Sequence, residues 1–344
     1  MTSQRQYNYC LDFIKGIACI FVVFMHCEFP GIMGTAVQAI SRFCVPFFFM
    51  VSGYFCFKPL KVITELRNAK DQAGGGISSI GRKLKHIGKI TFWASIFYLP
   101  FALLQQLCFH NQNILLSARD VFYWLVFNRP RIIAGQYWFL FALLYAYAFY
   151  GILERLRLRK FAYIFATLMF VVYVIMAQGA HLAGYHVPNM IYRNWLVEAF
   201  PYFMLGHWIH EHQDKISISN KVLIIIIVTT TLLCWVERWF MGRDFGVNII
   251  TIPQVFALFV YGVKNPQRHE GIVQRLGRDC SMLVYILHPA VWHSLQDVYI
   301  KLGWNDNMPA MYVMPILVLG LSILFAIVFN ELMDKVTKKP AIAK

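Results

Sequence analysis

The sequence predicts an all-α fold, a polytopic membrane bundle of about ten transmembrane helices. Of its 344 residues, 58% are hydrophobic and only 14% are charged, which is far more apolar than an ordinary soluble domain. Runs of about 20 apolar residues, the length that crosses a bilayer, recur from end to end. The alternating polar pattern of a transmembrane barrel is absent.

The apolar runs define ten spans joined by short polar loops. The weakest region, 109–133, holds an aromatic stretch at 120–128 that we interpret as an interfacial or re-entrant helix. No stretch is long and polar enough for an extra soluble domain, so residues 1–344 are predicted to form a single integral membrane domain. The first span is not expected to be a cleavable signal, because it lacks a basic n-region and a small-residue cleavage site. The predicted spans are 11–29, 36–57, 86–108, 134–152, 160–177, 192–210, 219–238, 246–263, 280–300 and 310–333.

The net charge of +15 is distributed over alternate loops. The loops with most Lys and Arg are expected on the cytoplasmic side, which places both termini in the cytoplasm of a multi-pass protein of the inner or plasma membrane. The longest of them, 58–85, is basic and contains a flexible glycine-rich stretch. Nucleic acid is excluded as a partner, because these basic residues do not form one face of a soluble domain.

Two ionisable residues, Lys15 and His26, lie inside the first span. Their separation corresponds to about three helical turns, so both point the same way, about 16 Å apart, with Asp12 close to the same face. Ionisable residues within spans mark functional sites by default. His26 is a candidate general base, against the alternative of a hydrogen-bonded structural histidine. Lys15 has two interpretations. It binds a phosphate or a carboxylate, or its side chain only reaches the inner membrane interface.

A second candidate site is the basic start of the third span. Arg82 and Lys85 share a helix face, and Lys89 extends the patch. Such a cluster suits a polyphosphate, which needs paired positive charge at the membrane. The alternative is that these residues only signal the cytoplasmic side of the membrane.

Two residues of the second span are candidates for substrate binding. Arg42 lies deep enough to need a partner, which Asp12 or Glu28 could supply. Ser52 precedes Gly53 in an apolar helix, a pair that also suits close helix packing.

Three further candidates lie in later spans. Trp138 belongs to an aromatic stretch typical of the membrane interface. Glu198 is a carboxylate within a span and could orient a histidine. His288 is expected near the middle of the membrane.

No metal site is predicted. The eight cysteines show no CxxC spacing and read as small core residues, although Cys27 and Ser52 stay open as covalent nucleophiles. His207, His210 and His212 do not have zinc-ligand spacing, and we interpret them as a solvated helix end.

Six stretches resemble, in order, the acyltransferase-3 family of integral membrane acyltransferases, and they extend over nearly the whole chain. They are L-D-F-I-K-G-I-A-C-I-F-V-V-F-M-H, V-P-F-F-F-M-V-S-G-Y-F, R-K-L-K, Q-Y-W-F-L-F-A-L-L, F-P-Y-F-M-L-G and L-G-R-D-C-S-M-L-V-Y-I-L-H-P. The resemblance implies a ten-helix fold that passes an acyl group, usually acetyl, from cytoplasmic acyl-CoA to a hydroxyl of a glycan or another acceptor. The family's first-helix motif is an arginine followed, after ten intervening residues, by a histidine, and it falls on Lys15 and His26. Its R-x-x-R motif falls on Arg82 and Lys85, which would bind the CoA phosphates.

The sequence therefore predicts an acyl-CoA-dependent acyltransferase with no permanently bound cofactor. Acyl-CoA would bind Arg82, Lys85 and Lys89, and its pantetheine arm would run along the Lys15 side to His26. The partners would be acyl-CoA, a cell-envelope glycan or lipid-linked acceptor and the lipid bilayer, with a homodimer left open. The alternative is a transporter or flippase of a sugar or amino acid, since intramembrane charges also mark transport pathways.

Overall fold

The computed structural model describes residues 8–58, 79–109, 117–130, 135–266 and 269–337. Of these residues 84% are helical and none is in a strand, which confirms the all-α prediction. Most of the loop predicted at 58–85 lies outside the described residues.

Twelve helices are labelled here in chain order, and short 3₁₀ or π turns join several of them. A 3₁₀ turn, Ser41–Phe43, links α2 to α3, and π turns occur at Ile175–Gly179, Trp195–Ala199 and Leu276–Cys280. The labelled helices are α1 Tyr9–His26, α2 Gly31–Ile40, α3 Cys44–Tyr54, α4 Ser79–Phe109, α5 Ala118–Phe127, α6 Trp138–Arg155, α7 Arg159–Val174, α8 Phe200–His212, α9 Asn220–Met241, α10 Thr251–Lys264, α11 Ser281–Leu302 and α12 Met308–Thr337.

Seven segments of the described chain are long and apolar enough to cross a membrane. The remaining three predicted spans coincide with α8, α10 and α11. Of these, α10 is apolar but has only 14 residues. The count of ten spans and the cytoplasmic position of the termini therefore stay predictions.

The chain divides into two compact units. Unit 1 comprises Met1–Cys44 and Tyr261–Lys344, and unit 2 comprises Val45–Val260. The described part of unit 1 begins with Asn8, whose side-chain Oδ1 accepts hydrogen bonds from the backbone N–H groups of Cys10 and Leu11 and so caps α1. The Asn8 Nδ2 donates to the Gly262 carbonyl at 2.9 Å, which joins the start of α1 to the end of α10.

Small side chains fill the core of unit 1, where α1, α11 and α12 meet. Narrow side chains let helices approach closely, which is how membrane helices gain packing energy. The core residues include Cys19, Val23, Val284, Val318 and Ala326.

Unit 2 contains a reciprocal glycine contact between α3 and α8. A Cβ on Gly53 would overlap the backbone of Phe203, and a Cβ on Gly206 would overlap the backbone of Met50. Only glycine permits this approach at either position. Close helix packing is therefore confirmed at Gly53, whereas the role of Ser52 stays a prediction.

The seven described cysteine side chains are buried and free, as predicted for small core residues. The aromatic stretch at 120–128 forms the ten-residue helix α5. Ser117 and Asp120 form a capping box that fixes where this helix begins.

We expect Gly277→Ala to destabilise the fold, because the new Cβ would collide with the Asp12 carbonyl and approach the Gly16 nitrogen. Overpacking of this kind costs about 1–3 kcal/mol. The matched control is Gly320→Ala in α12, where a Cβ meets no atom within 4 Å. Thermal unfolding of detergent-purified protein should show a lower midpoint for Gly277→Ala only. Equal midpoints for the two variants would contradict the close contact.

Candidate functional site

In unit 1, α1 crosses the segment that leads into α11 at a glycine contact. An added Cβ on Gly277 would lie 2.5 Å from the Gly16 nitrogen, and an added Cβ on Gly16 would collide with the Val273 carbonyl. Further along, the Cys19 Sγ lies 3.9 Å from the Ser281 carbonyl oxygen. The two helices therefore run side by side in the same direction.

This crossing brings His26 to His288. Ten residues separate Gly16 from His26, and eleven separate Gly277 from His288. The π turn Leu276–Cys280 accounts for the difference, because its i→i+5 bonding takes up one more residue per turn than an α-helix. Both paths then rise by about 15 Å.

The two imidazoles are stacked, with ring centroids 5.3 Å apart and an interplanar angle of 28°. His288 is 0% exposed, and its Nδ1 lies 3.0 Å from the Val284 carbonyl. Because a carbonyl only accepts, we assign the proton to Nδ1. Its Nε2 is buried and has no hydrogen-bond partner among the described residues. His26 is partly exposed, so a substrate can approach it more readily than it can approach His288.

Lys15 forms an ion pair with Asp12, one helical turn earlier, at 3.1 Å between Nζ and Oδ1. The side chain of Lys15 is 19% exposed and that of Asp12 only 8%. Asp12 therefore partners Lys15, rather than Arg42 as one sequence hypothesis had it. The other oxygen of Asp12, Oδ2, is buried and accepts no hydrogen bond from any described residue.

The Arg278–Asp279 pair also bears on the charge near Lys15. The pKa of Asp279 is lowered, chiefly by hydrogen bonds from Arg278 at 2.7 and 2.8 Å, and the charge of Lys15 adds to the effect. Lys15 thus contributes positive potential to two carboxylates, those of Asp12 and Asp279.

Arg42 is 5% exposed and bonds to Gln38. The Gln38 side chain donates in turn to the Glu28 carboxylate at 2.6 Å and to the Met25 carbonyl at 2.7 Å. Glu28, the other predicted partner, is therefore linked to Arg42 through Gln38. Since Met25 precedes His26, this chain of contacts reaches the backbone next to the candidate base.

In unit 2, the predicted phosphate patch occupies the first three turns of α4. Arg82, Lys85 and Lys89 are exposed, as a patch that receives a ligand requires. Lys83 instead turns inward and donates to the Phe55 carbonyl at 2.5 Å. The Lys83 contact fixes the start of α4 against the end of α3.

Two residues of unit 2 that were predicted to bind substrate, Ser52 and Glu198, lie in surroundings that suit a structural role. The Ser52 hydroxyl donates to the Phe48 carbonyl of its own helix at 3.0 Å. Glu198 is 1% exposed, within the π turn that precedes α8.

The interpretation of His207 as part of a solvated helix end is wrong. His207 is 0% exposed, and its two ring nitrogens lie 2.6 Å and 2.7 Å from the hydroxyls of Tyr150 and Tyr163. Tyr163 also bonds to Glu211. His207 is buried against Tyr150 of α6 and Tyr163 of α7, whereas His210 and His212 are partly exposed. Spacing along α8 alone could not reveal this difference. Within the described residues, no group of three or more metal-ligating side chains is brought together.

Trp138 begins α6 and lines a cavity of about 470 Å³ in unit 2. The Arg193 guanidinium lies 5.0 Å from the Trp138 ring centroid. Arg129 and Arg243 also line this cavity. The sequence alone assigns no role to these arginines.

The sequence alone assigned no role to two residues that join separate segments through hydrogen bonds. Gln38 links Glu28 to Arg42, and Asn128 joins three segments of unit 2. For Gln38 the available signal was a polar side chain within the apolar 36–57 run. For Asn128 the signal was its place after an aromatic run, where asparagine ends helices in the left-handed conformation.

A family model described as an acyltransferase domain, that of the acyltransferase-3 family, matches residues 8–329. No curated protein and no solved structure matches the chain. The match extends over both units and includes α1 with its lysine and histidine, the basic start of α4, and α11. Together with the apolar helices, it identifies the chain as a member of the acyltransferase-3 family, a multi-pass membrane acyltransferase.

Proposed function

We propose that this acyltransferase takes an acyl group, acetyl in the first instance, from cytoplasmic acyl-CoA. It transfers the group to a hydroxyl of a cell-envelope glycan or lipid-linked acceptor in the inner or plasma membrane. The observation that carries the proposal is the stacked pair of His26 and His288. Such a pair supplies what transfer to a hydroxyl needs, a fixed imidazole that accepts and returns one proton.

His26 is the general base. The acceptor hydroxyl gives its proton to His26 while its oxygen attacks the thioester carbonyl carbon. The bond between that carbon and the CoA sulfur then breaks, and the sulfur takes up the proton from the His26 imidazolium. No covalent acyl-enzyme is needed, because the acceptor oxygen attacks directly.

His288 is a positioning residue. Its own ring is held by the Val284 carbonyl, and stacking restrains the plane of the His26 ring. A ring that is already held in one orientation loses less entropy on reaching the reactive alignment with the substrate than a freely rotating ring does.

Lys15 supplies a positive charge on the same helix, and Asp12 fixes its ammonium group. A lysine is a point charge and lacks the bidentate fork of arginine. We assign it to general attraction of the donor's negative charge, with Asp12 as its positioning residue.

The phosphates of CoA bind Arg82, Lys85 and Lys89. Their exposure on successive turns supports this assignment, as does the fixed start of α4. Phosphate groups are bound best by several cations at once.

We predict that His26→Ala lowers acyl transfer by about 10²- to 10⁴-fold, the usual contribution of a general base. The measurement is transfer of radiolabelled acetyl from acetyl-CoA to membrane-bound acceptors by protein in membrane vesicles. The control is His212→Gln, whose ring bonds to the Trp208 carbonyl of its own helix.

Wild-type transfer by His26→Ala would overturn the assignment of the base. Solute counterflow in the absence of acetyl-CoA, with no consumption of acetyl-CoA in its presence, would favour the transporter class instead.

We also predict that Arg82→Gln and Lys85→Gln each raise the KM for acetyl-CoA by about 10- to 150-fold, because each removes a charge-assisted bond worth about 1.5–3 kcal/mol. Activity with acetyl-pantetheine, which lacks the CoA phosphates, should not change. The matched control is Lys160→Gln, an exposed lysine near the start of α7. Equal losses with both donors would show that these residues do not bind the phosphates.

A further inference from the structure

We propose that the acceptor carries a negative charge, a carboxylate or a phosphate, and that Arg129, Arg193 and Arg243 bind it in the cavity beside Trp138. This inference rests on the proposed function and names the class of acceptor. The cavity of about 470 Å³ lies within the usual range of small-molecule sites, roughly 300–1,000 Å³.

The cavity is cationic. Three arginines and His186 line it, and none of the described residues that line it is acidic. Three guanidinium groups around one cavity repel one another, so an anion between them is stabilised. Arginine also presents paired N–H groups that match both oxygens of a carboxylate or phosphate.

Arg193 has unused hydrogen-bonding capacity. Its guanidinium lies over the Trp138 ring, and its Nε is buried without a hydrogen-bond partner in the described chain. A buried donor that lacks an acceptor costs free energy until a ligand supplies one. Gly246, at φ +87°, leaves room for this arginine, because a Cβ there would lie 3.2 Å from the Arg193 Nε.

The hydrogen-bond partners of Arg243 in the cavity are neutral. Gly242 ends α9 with φ +61°, and Arg243 follows it directly. Its guanidinium contacts the His186 Nδ1 at 2.9 Å and the Asn189 Oδ1 at 3.1 Å. The side chain of the neighbouring Asp244 accepts the Gly246 N–H at 3.0 Å. These neutral contacts orient the Arg243 guanidinium without cancelling its charge.

Hydrogen bonds anchor the backbone segments that carry Arg129 and Arg193. Asn128, 0% exposed, donates to the Trp138 carbonyl at 3.0 Å and accepts the Trp195 N–H at 2.8 Å. It thereby ties the end of α5, the start of α6 and the segment after Arg193. A site that is formed before binding loses less affinity to ordering.

The loop that carries Arg243 is anchored in the same way. The Tyr173 hydroxyl donates to the carbonyls of Phe245 and Val247. The Glu237 carboxylate accepts the backbone N–H groups of Ile249 and Ile250.

The cavity and the phosphate patch lie at opposite ends of α6. Trp138 begins this helix, whereas Gly151 near its other end lies beside Ile80 at the start of α4, with an added Cβ 3.2 Å from the Ile80 Cγ2. Gly151 lies thirteen positions after Trp138, which corresponds to about 20 Å along the helix. The arginine cavity is therefore separate from the patch assigned to the CoA phosphates and is available to the second substrate.

The test is a titration of purified protein in phosphatidylcholine nanodiscs, without acyl donor, by isothermal calorimetry. The probes are galactose, galacturonate and galactose 1-phosphate, which differ chiefly in the added anionic group. We expect both anionic probes to bind at least tenfold more tightly than galactose.

Arg193→Gln and Arg243→Gln should each weaken binding of the anionic probes about tenfold. Arg129 is exposed, so Arg129→Gln tests the same point without risk to folding. The matched control is Arg238→Gln, which removes a charge from the last turn of α9 but not from the cavity. This control should bind both anionic probes as the wild type does.

Equal binding of galactose and the anionic probes would overturn the proposal, and so would equal losses in Arg238→Gln and the cavity variants. Galacturonate binding should be unchanged in nanodiscs that also contain phosphatidylglycerol. Its loss there would assign the cavity to lipid headgroups and overturn the acceptor assignment. Because no acyl donor is present, the titration tests the cavity even if the protein shows no acetyl transfer. In an acyl-transfer assay, transfer to neutral acceptors alone would overturn this inference but not the proposed function.

Discussion

The contact between Gly16 and Gly277 is the constraint on which the chemistry proposed for unit 1 depends. With no side chain at either position, the backbone of α1 lies directly against the segment that leads into α11. That contact fixes the register of the two helices, and the π turn at Leu276–Cys280 takes up the additional residue. His26 and His288 then arrive at the same level, stacked 5.3 Å apart. A wider crossing would separate the imidazoles, because stacking requires ring centroids within about 7 Å.

The helix period was sufficient to place Lys15, His26 and Asp12 on one face, since they belong to one continuous helix. It could not pair His26 with His288, because that contact joins residues 262 positions apart and depends on the glycine crossing and on a π turn. The sequence pattern also assigned His207 to a solvated end, because the pattern of α8 does not show that Tyr150 and Tyr163 cover this histidine. Hydrophobicity alone predicted the spans, and it left Gln38 and Asn128 unassigned because their partners come from other segments.

The two ends of α6 suit different ligands, although both are cationic. At its Gly151 end, the exposed cations of α4 suit a flexible polyphosphate that arrives from bulk solvent. At its Trp138 end, arginines held by Asn128, Tyr173 and Glu237 form a defined cavity that suits one anionic group. This difference in anchoring agrees with the proposal of a common donor and a selected acceptor, because an array of donors that is fixed before binding discriminates among ligands better than one that is not.

The most direct test of the proposed mechanism is an experimental structure of the protein bound to a thioether analogue of acetyl-CoA. Density for the CoA phosphates should contact Arg82 and Lys85 on the first turns of α4. Phosphate density against the arginines of the cavity beside Trp138, or against another basic segment, would contradict the donor assignment and the mechanism built on it.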